Sequence, residues 1–309
     1  LPIWLDHPIA KKVLYYRELS KLKSTYVDAL PALIDVRDGR VHTCFNQALT
    51  STGRLSSENP NLQNIPIRTP RGQEIRKAFI AAPGHEILSL DYSQIELRIL
   101  AHISEDEGLV AAFQRDDDVH AATASLVFNK ARADVNAEDR RIAKAVNFGI
   151  AYGQGAFGLA EALGIERKKA QEVIAQYFVR FPGIKRYIDE TIQLAHERGF
   201  VETMFGRRRY LNELKSNNSA MKKFGERAAI NAPMQGTAAD VVKLAMIRVA
   251  DKISLPMILQ VHDELLFEGL SHELREATSE IADVMENVVS LKVPLKVNSG
   301  QGTSWGTAH

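Results

Sequence analysis

The chain has 309 residues, 45% of them hydrophobic, and balances Lys+Arg 39 against Asp+Glu 38. That length is enough for a full core and predicts two or three subdomains. The near-zero net charge excludes a uniformly basic surface, so any anionic partner has to be met by local patches. The single cysteine, Cys44, excludes an internal disulfide and fits a reducing compartment. No charged-then-apolar leader precedes Pro8 and no apolar run reaches membrane-span length. The expectation is a soluble intracellular protein with no membrane partner.

Residues 1–23 are predicted helical. The chain starts at Leu1 rather than Met and already reads as mid-helix over 9–22, so a fragment of a longer protein is expected. This first stretch also holds one basic patch, Lys11, Lys12, Arg17, Lys21 and Lys23. Others are Arg71, Arg76 and Lys77, and Arg207, Arg208 and Arg209, and each alone reads as a solvated face. Residues 33–80 read as short strands and turns, 86–91 as a strand, and 94–220 as almost all helix. Helix is again expected over 226–250 around a break at Pro233, then paired strands at 257–261 and 265–268, then a helix over about 273–290. A helical middle between strand-bearing ends predicts a helical lobe on an α+β base.

The strand 87–90 ends at Asp91, and Ile95, Ile99, Leu100 and Ile103 share one face of the helix that follows. Taken singly, Asp91 reads as a turn residue satisfying backbone amides. Ser93 and Glu96 have capping-box spacing, so Glu96 is expected to reach back to the Ser93 amide. His120 follows three aspartates, 116–118, and alone reads as an exposed loop histidine.

In residues 140–153, RRIAKAVNFGIAYG, the side chains of Arg140, Lys144, Phe148 and Tyr152 are four apart. On a helix that spacing drifts by roughly 40° per step, which makes one broad stripe of two cations and then two rings. Ile142, Val146 and Ile150 lie on the other side and predict the packed face. Asn136 as N-cap, Asp139 at N3 and Gly153 at the end bound the helix. Cations suit phosphates and flat rings suit bases, although an amphipathic helix with two incidental aromatics has the same pattern. Arg227, Asn231 and Gln235 also recur every four residues, offering donors suited to groove and backbone contacts.

The apolar runs 257–261 and 265–267 flank His262, Asp263 and Glu264, a hairpin with an acidic tip. If this hairpin neighbours the strand ending at Asp91, the two aspartates converge. They could then hold two divalent ions about 3.5–4 Å apart, and like-charge repulsion would make those ions a requirement.

Together these segments resemble the family A DNA polymerases, the bacterial DNA polymerase I type. Asp91-Tyr92-Ser93-Gln94-Ile95-Glu96-Leu97-Arg98 resembles motif A, the helix at 140–153 resembles motif B, and His262-Asp263-Glu264 resembles motif C. TGRLSSENPNLQNIPIR at 52–68, ERAAINAPMQGTAAD at 226–240, and the terminal Trp305, Ala308 and His309 add matches in the expected order.

The resemblance implies an α+β fold, an antiparallel palm sheet with a large inserted all-helical fingers subdomain. Residues 1–23 would be a remnant of the thumb helix, 24–104 the first part of the palm, 105–222 the fingers and 223–309 the second part of the palm. Asp91, Asp263 and Lys144 would be catalytic, with Asp91, Asp263 and the Tyr92 carbonyl holding two Mg²⁺ ions, for which Mn²⁺ can substitute. Arg140, Lys144, Phe148, Tyr152, Gln94, His120 and Arg68 would bind the dNTP, and Glu96 would crowd a ribose 2′-hydroxyl. Arg54, Arg227, Asn231, Gln235, His262 and Tyr152 would touch primer–template DNA.

A monomer in the bacterial cytoplasm, associated with the nucleoid, is implied too. The nuclease domains of full-length family members have no room here, most of the thumb is missing, and the link between 250 and 257 is short. Two alternatives stay open: a relative of the single-subunit RNA polymerases, which Glu96 disfavours, and a catalytically impaired fragment that only binds primer–template.

Overall fold

A computed structural model describes residues 7–67 and 69–308; Arg68 and His309 lie outside the described residues, as do residues 1–6. The first helix, α1 (Pro8–Leu22), starts with Pro8 in its first turn and the His7 ring accepting from the Ile9 N–H at 3.2 Å. No residue of α1 is buried. It is tied to the rest through the π-helical turn Lys23–Val27, where buried Tyr26 donates its hydroxyl to the Asn64 carbonyl at 2.7 Å.

Two short strands, β1 (Cys44–Asn46) and β2 (Ser56–Glu58), pair antiparallel. The region read as strands and turns also contains a helix, α2 (Pro70–Lys77). Thr69 caps it by accepting from the Gly72 N–H at 3.1 Å, and Pro70 fixes its first turn. Then follow β3 (His85–Tyr92), α3 (Ile95–Ser104), α4 (Glu107–Gln114), α5 (Val119–Phe128), α6 (Ala137–Ala151), α7 (Ala156–Leu163), α8 (Arg167–Arg180) and α9 (Pro182–Arg198). After these come β4 (Phe200–Glu202), β5 (Arg208–Tyr210), α10 (Ser219–Lys252), β6 (Met257–Val261), β7 (Glu264–Leu270), α11 (Ser271–Glu286) and β8 (Val297–Gly302).

The central sheet is antiparallel, in the order β6-β7-β3-β8. Alternation along β3 sends Leu88, Leu90 and Tyr92 to one side, where with Leu265 and Phe267 they join a core shared with Val241, Val242, Ile281 and Met285. Ile87 and Leu266 face the other way, onto Leu259, Val261, Leu62, Ile65 and Trp305. The sheet is therefore covered on both faces, and Ser89 and Asp91 fall on the second face near its end. This is the α+β class expected, with the helices α4–α9 inserted between β3 and the later strands.

Three details differ from the sequence reading. The inserted segment is not helical throughout, because β4 and β5 form a hairpin within it. Its basic run is used internally: Arg207 donates to Asp240 at 2.9 Å and Arg208 to Glu202 at 2.7 Å. The break expected at Pro233 does not occur, and α10 runs unbroken for 34 residues. An internal proline costs about 3 kcal/mol, which neighbours offset here. Helices α3 and α9 and strand β4 pack along α10, and the Tyr187 hydroxyl donates to the Ile230 carbonyl at 3.2 Å. Finally, β8 was not foreseen, because its sequence, VNSGQG, has no apolar alternation and it is held by main-chain pairing to β3.

Candidate active site

The register of β3 on β7 sets Asp91 opposite Glu264, so Asp263 lies in the tight turn just past the strand end. His262 takes the left-handed backbone of that turn, φ +58°. The Tyr92 N–H donates to the Asp263 carbonyl at 3.2 Å. The two carboxyl groups lie near enough for the charge of Asp263 to act on Asp91. Burial first, then the charges of Asp263 and Glu264, push Asp91 up to about 7, and burial pushes Asp263 up as well. Both are half-buried, and like-charge repulsion between them favours protonation of one.

Glu264 is not at the hairpin tip. It begins β7, is 4% exposed, and its Oε1 accepts from the Ser89 hydroxyl at 2.7 Å and the Trp305 indole at 2.9 Å. Arg76 is likewise no surface cation: it is 6% exposed, 4.0 Å over the Trp305 ring, with Nη1 at 3.7 Å from Glu264 Oε2. Its charge lies behind the aspartates and partly offsets the repulsion there. Arg76→Met is expected to cost about 3–5 kcal/mol, as an uncompensated buried carboxylate does. Urea unfolding at pH 7.5 checks this, and an unchanged midpoint would show that Glu264 needs no counter-charge.

Helix α6 has the caps expected, a reciprocal Asn136–Asp139 box at its start and Gly153 beyond its end. Gly153 has φ +71°, which favours glycine, and a Cβ there would lie 2.7 Å from the end of the Ile230 side chain, which would have to move. Arg140 and Lys144 are exposed, Phe148 and Tyr152 are half-buried, and the two rings lie 5.8 Å apart. Val146 and Ile150 are buried as expected, joined by Ala143 and Asn147, whereas Ile142 is only half-buried. Arg140 Nε donates to Asp118 at 2.6 Å, and Asp118 caps α5 through the His120 and Ala121 amides. His120 is inside rather than exposed: it is 1% accessible, 6.1 Å from the Phe148 ring, and held at about 4 by burial and the nearby Arg140 and Lys144.

The capping box expected at Ser93 and Glu96 is absent. Gln94 is the N-cap of α3, with φ +55° and no side-chain cap bond. Glu96 instead lies buried between two donors, the Arg54 guanidinium and the Tyr152 hydroxyl. Burial raises its pKa, with Arg54 opposing and Asp263 adding to the shift. These contacts bring Arg54, Glu96, Tyr152, Asp263 and the exposed His262 into one neighbourhood.

Asn231 donates to the Tyr152 carbonyl at 3.4 Å. Arg227 and Gln235 lie one turn to either side of it on α10, Arg227 exposed and Gln235 half-buried. Gln94 Oε1 and Asn231 Oδ1 are buried without a hydrogen-bond partner, acceptors left spare at the edge of this cluster. The Tyr92 ring points into the core, donating its hydroxyl to the Met285 carbonyl at 2.7 Å. Arg68 lies outside the described residues.

Sequence reasoning missed Arg76, Thr123 and Asn147. For Asn147 there was a signal, a carboxamide on the apolar face of an amphipathic helix, which has to be satisfied by something polar.

The Asp91–Asp263 pair fits a divalent cation. Both donors are hard anionic oxygens, and they hold a proton where a cation would relieve the repulsion. Among the described residues no group of three or more His, Cys, Asp or Glu forms a metal cage. Mg²⁺ held by one or two carboxylates plus substrate phosphates needs none.

DNA polymerase family A matches residues 3–307. DNA polymerase I of Pseudomonas aeruginosa is 52% identical over 309 residues, 98% of this chain and 34% of that protein. The thermostable DNA polymerase I of Thermus aquaticus is 51% identical over 306 residues, 98% of this chain and 37% of that protein. The chain thus spans about a third of the curated relatives it matches. Among solved structures, the POL domain of Pol1 from M. smegmatis, in complex with DNA primer-template and dNTP, superposes with a TM-score of 0.94. It is 46% identical, over 98% of this chain and 54% of that one. The chain belongs to DNA polymerase family A.

Proposed function

We propose that this chain is the polymerase core of a template-directed DNA polymerase, adding dNTPs to a primer 3′-hydroxyl and releasing pyrophosphate. The observation that carries this reading is the convergence of the half-buried Asp91 and Asp263 carboxyls where β3 ends beside the β6–β7 turn. The hydroxyl oxygen bonds to the α-phosphorus as the bond from that phosphorus to the bridging β-phosphate oxygen breaks, pyrophosphate leaves, and the hydroxyl proton passes to water. Asp91, Asp263 and the Tyr92 carbonyl would hold Mg²⁺ or Mn²⁺, which would supply charge neutralisation and a lowered hydroxyl pKa.

The protein's own residues position the rest. Arg140 exchanges Asp118 for a triphosphate oxygen, and Lys144, one turn along, takes another. Phe148 packs on the sugar and base, and Tyr152 stands near the templating position. Arg54, Arg227, Asn231, Gln235 and His262 meet the primer–template, with Gln94 and His120 beside the nucleotide. In this reading residues 24–104 and 223–309 are palm, 105–222 fingers and 1–23 a thumb remnant. The enzyme works as a monomer in the bacterial cytoplasm. Among the described residues no helix is long and apolar enough to cross a membrane.

Primer extension on a primed template with Mg²⁺ and dNTPs tests the reading directly. Glu96 gives a finer test. Because it caps no helix, Glu96→Ala removes only its bonds to Arg54 and Tyr152 and the bulk facing the sugar. The dNTP-over-rNTP preference is expected to fall by about tenfold or more, equivalent to about 1.4 kcal/mol. Single-nucleotide incorporation of dATP and ATP opposite thymine measures it, and an unmoved ratio would remove Glu96 from sugar selection.

A further inference from the structure

Three buried side chains join α5 to α6 in a short run of hydrogen bonds. Thr123 Oγ1 donates to Asn147 Oδ1 at 2.8 Å, and Asn147 Nδ2 meets His120 Nδ1 at 2.9 Å. Thr123 is 1% exposed, Asn147 0% and His120 1%. At the far end of the run, His120 Nε2 is buried and has no hydrogen-bond partner.

A carboxamide has one accepting and one donating end. With the threonine hydroxyl on its oxygen, Asn147 turns its NH₂ toward the imidazole, so Nδ1 has to accept. A neutral imidazole whose Nδ1 accepts carries its proton on Nε2. The ring stays neutral at ordinary pH, because burial and the charges of Arg140 and Lys144 outweigh Asp118. The spare N–H is buried, within the field of Arg140 and Lys144, on a ring 6.1 Å from that of Phe148.

We propose that Asn147 is a positioning residue for nucleotide binding: oriented by Thr123, it fixes the His120 tautomer whose Nε2–H is left to donate to a triphosphate oxygen. The assignment of the acceptor rests on the polymerase reading above; the control of the ring does not. A tautomer fixed in advance need not change when the anion reaches the ring, the same logic by which outer hydrogen bonds orient metal-bound histidines.

Two-bond ¹H–¹⁵N correlation spectra distinguish the tautomers in nucleotide-free protein at pH 7.5, with His120→Gln identifying the signal. The wild type is expected to show a neutral ring protonated on Nε2. Asn147→Leu and Thr123→Val are expected to shift the ring toward a mixture and raise the dNTP KM by about tenfold, the loss of one hydrogen bond to a charged group. Thr123→Ser, which keeps the hydroxyl, is expected to retain both the tautomer and the KM. If Asn147→Leu does not fold, the Val and Ser pair at Thr123 makes the same comparison. A wild-type ring protonated on Nδ1, or charged, overturns the proposal. So does a scrambled tautomer with an unmoved KM. A wild type that shows the expected tautomer and yet extends no primer overturns the polymerase reading while supporting control of the ring by Asn147.

Discussion

Asp91→Asn and Asp263→Asn are each expected to abolish primer extension while leaving primer–template binding within a few-fold. Each removes an anionic oxygen from a site whose chemistry depends on holding cations against phosphate. The several kcal/mol supplied there corresponds to a rate loss of about 10³-fold or more. Binding survives because the DNA contacts proposed here come from other side chains, Arg54, Arg227, Asn231, Gln235 and His262.

The same variants have an opposite effect on stability. Asp91 ionises near 7 when folded, against 3.8 ordinarily. The unfolded chain therefore loses this proton first, and metal-free protein loses stability as pH rises from about 4 to about 7. Asn has no proton to lose, so Asp91→Asn flattens that slope and stabilises metal-free protein at pH 8 by roughly 1–3 kcal/mol, at about 1.4 kcal/mol per pKa unit. Mg²⁺ raises the melting temperature of the wild type and has little effect on the variant. Melting curves with Mg²⁺ and with EDTA test this, and a variant less stable than wild type in EDTA would show that the pair is not strained.

Lys144→Ala and Arg140→Ala are each expected to lower kcat/KM for dNTP by on the order of 10²–10³-fold, the usual loss when a fixed donor to a developing charge is removed. Primer–template affinity holds, because both side chains lie on α6 away from the Arg227, Asn231 and Gln235 face. The two variants should differ in detail. Arg140 is ion-paired with Asp118, so Arg140→Ala also frees a carboxylate at the start of α5 that repels the incoming triphosphate. Single-turnover incorporation and equilibrium DNA binding separate the cases. A loss of DNA affinity with steady nucleotide kinetics would make α6 a duplex contact.

Much of this site was legible because its residues sit where local signals are strong. Asp91 ends an apolar strand, Asp263 tips a hairpin, and Arg140, Lys144, Phe148 and Tyr152 repeat at helical spacing. Convergence of the two aspartates needed the register of β3 on β7, which is a long-range fact. The misreadings have the same origin. Glu96 fits a capping box locally, yet a tertiary pair of donors, Arg54 and Tyr152, claims it and leaves Gln94 to start α3. Pro233 is a local helix breaker overruled by packing on α3, α9 and β4. Arg76 looked like a surface cation beside Lys77, and only the fold brings Trp305 and Glu264 around it. Thr69-Pro70 was a readable helix start for α2, obscured by the scarcity of apolar residues in the turn that follows.

The most direct test of the central claim is extension of a 5′-labelled primer on a defined template with Mg²⁺ and one dNTP at a time. The expected result is addition of one nucleotide only when the dNTP complements the templating base. Addition should stop in EDTA, return with Mg²⁺ or Mn²⁺, and be lost in Asp91→Asn. Full extension by Asp91→Asn, or by wild type in EDTA, would contradict the assignment of the paired aspartates as the metal-holding centre of nucleotide transfer.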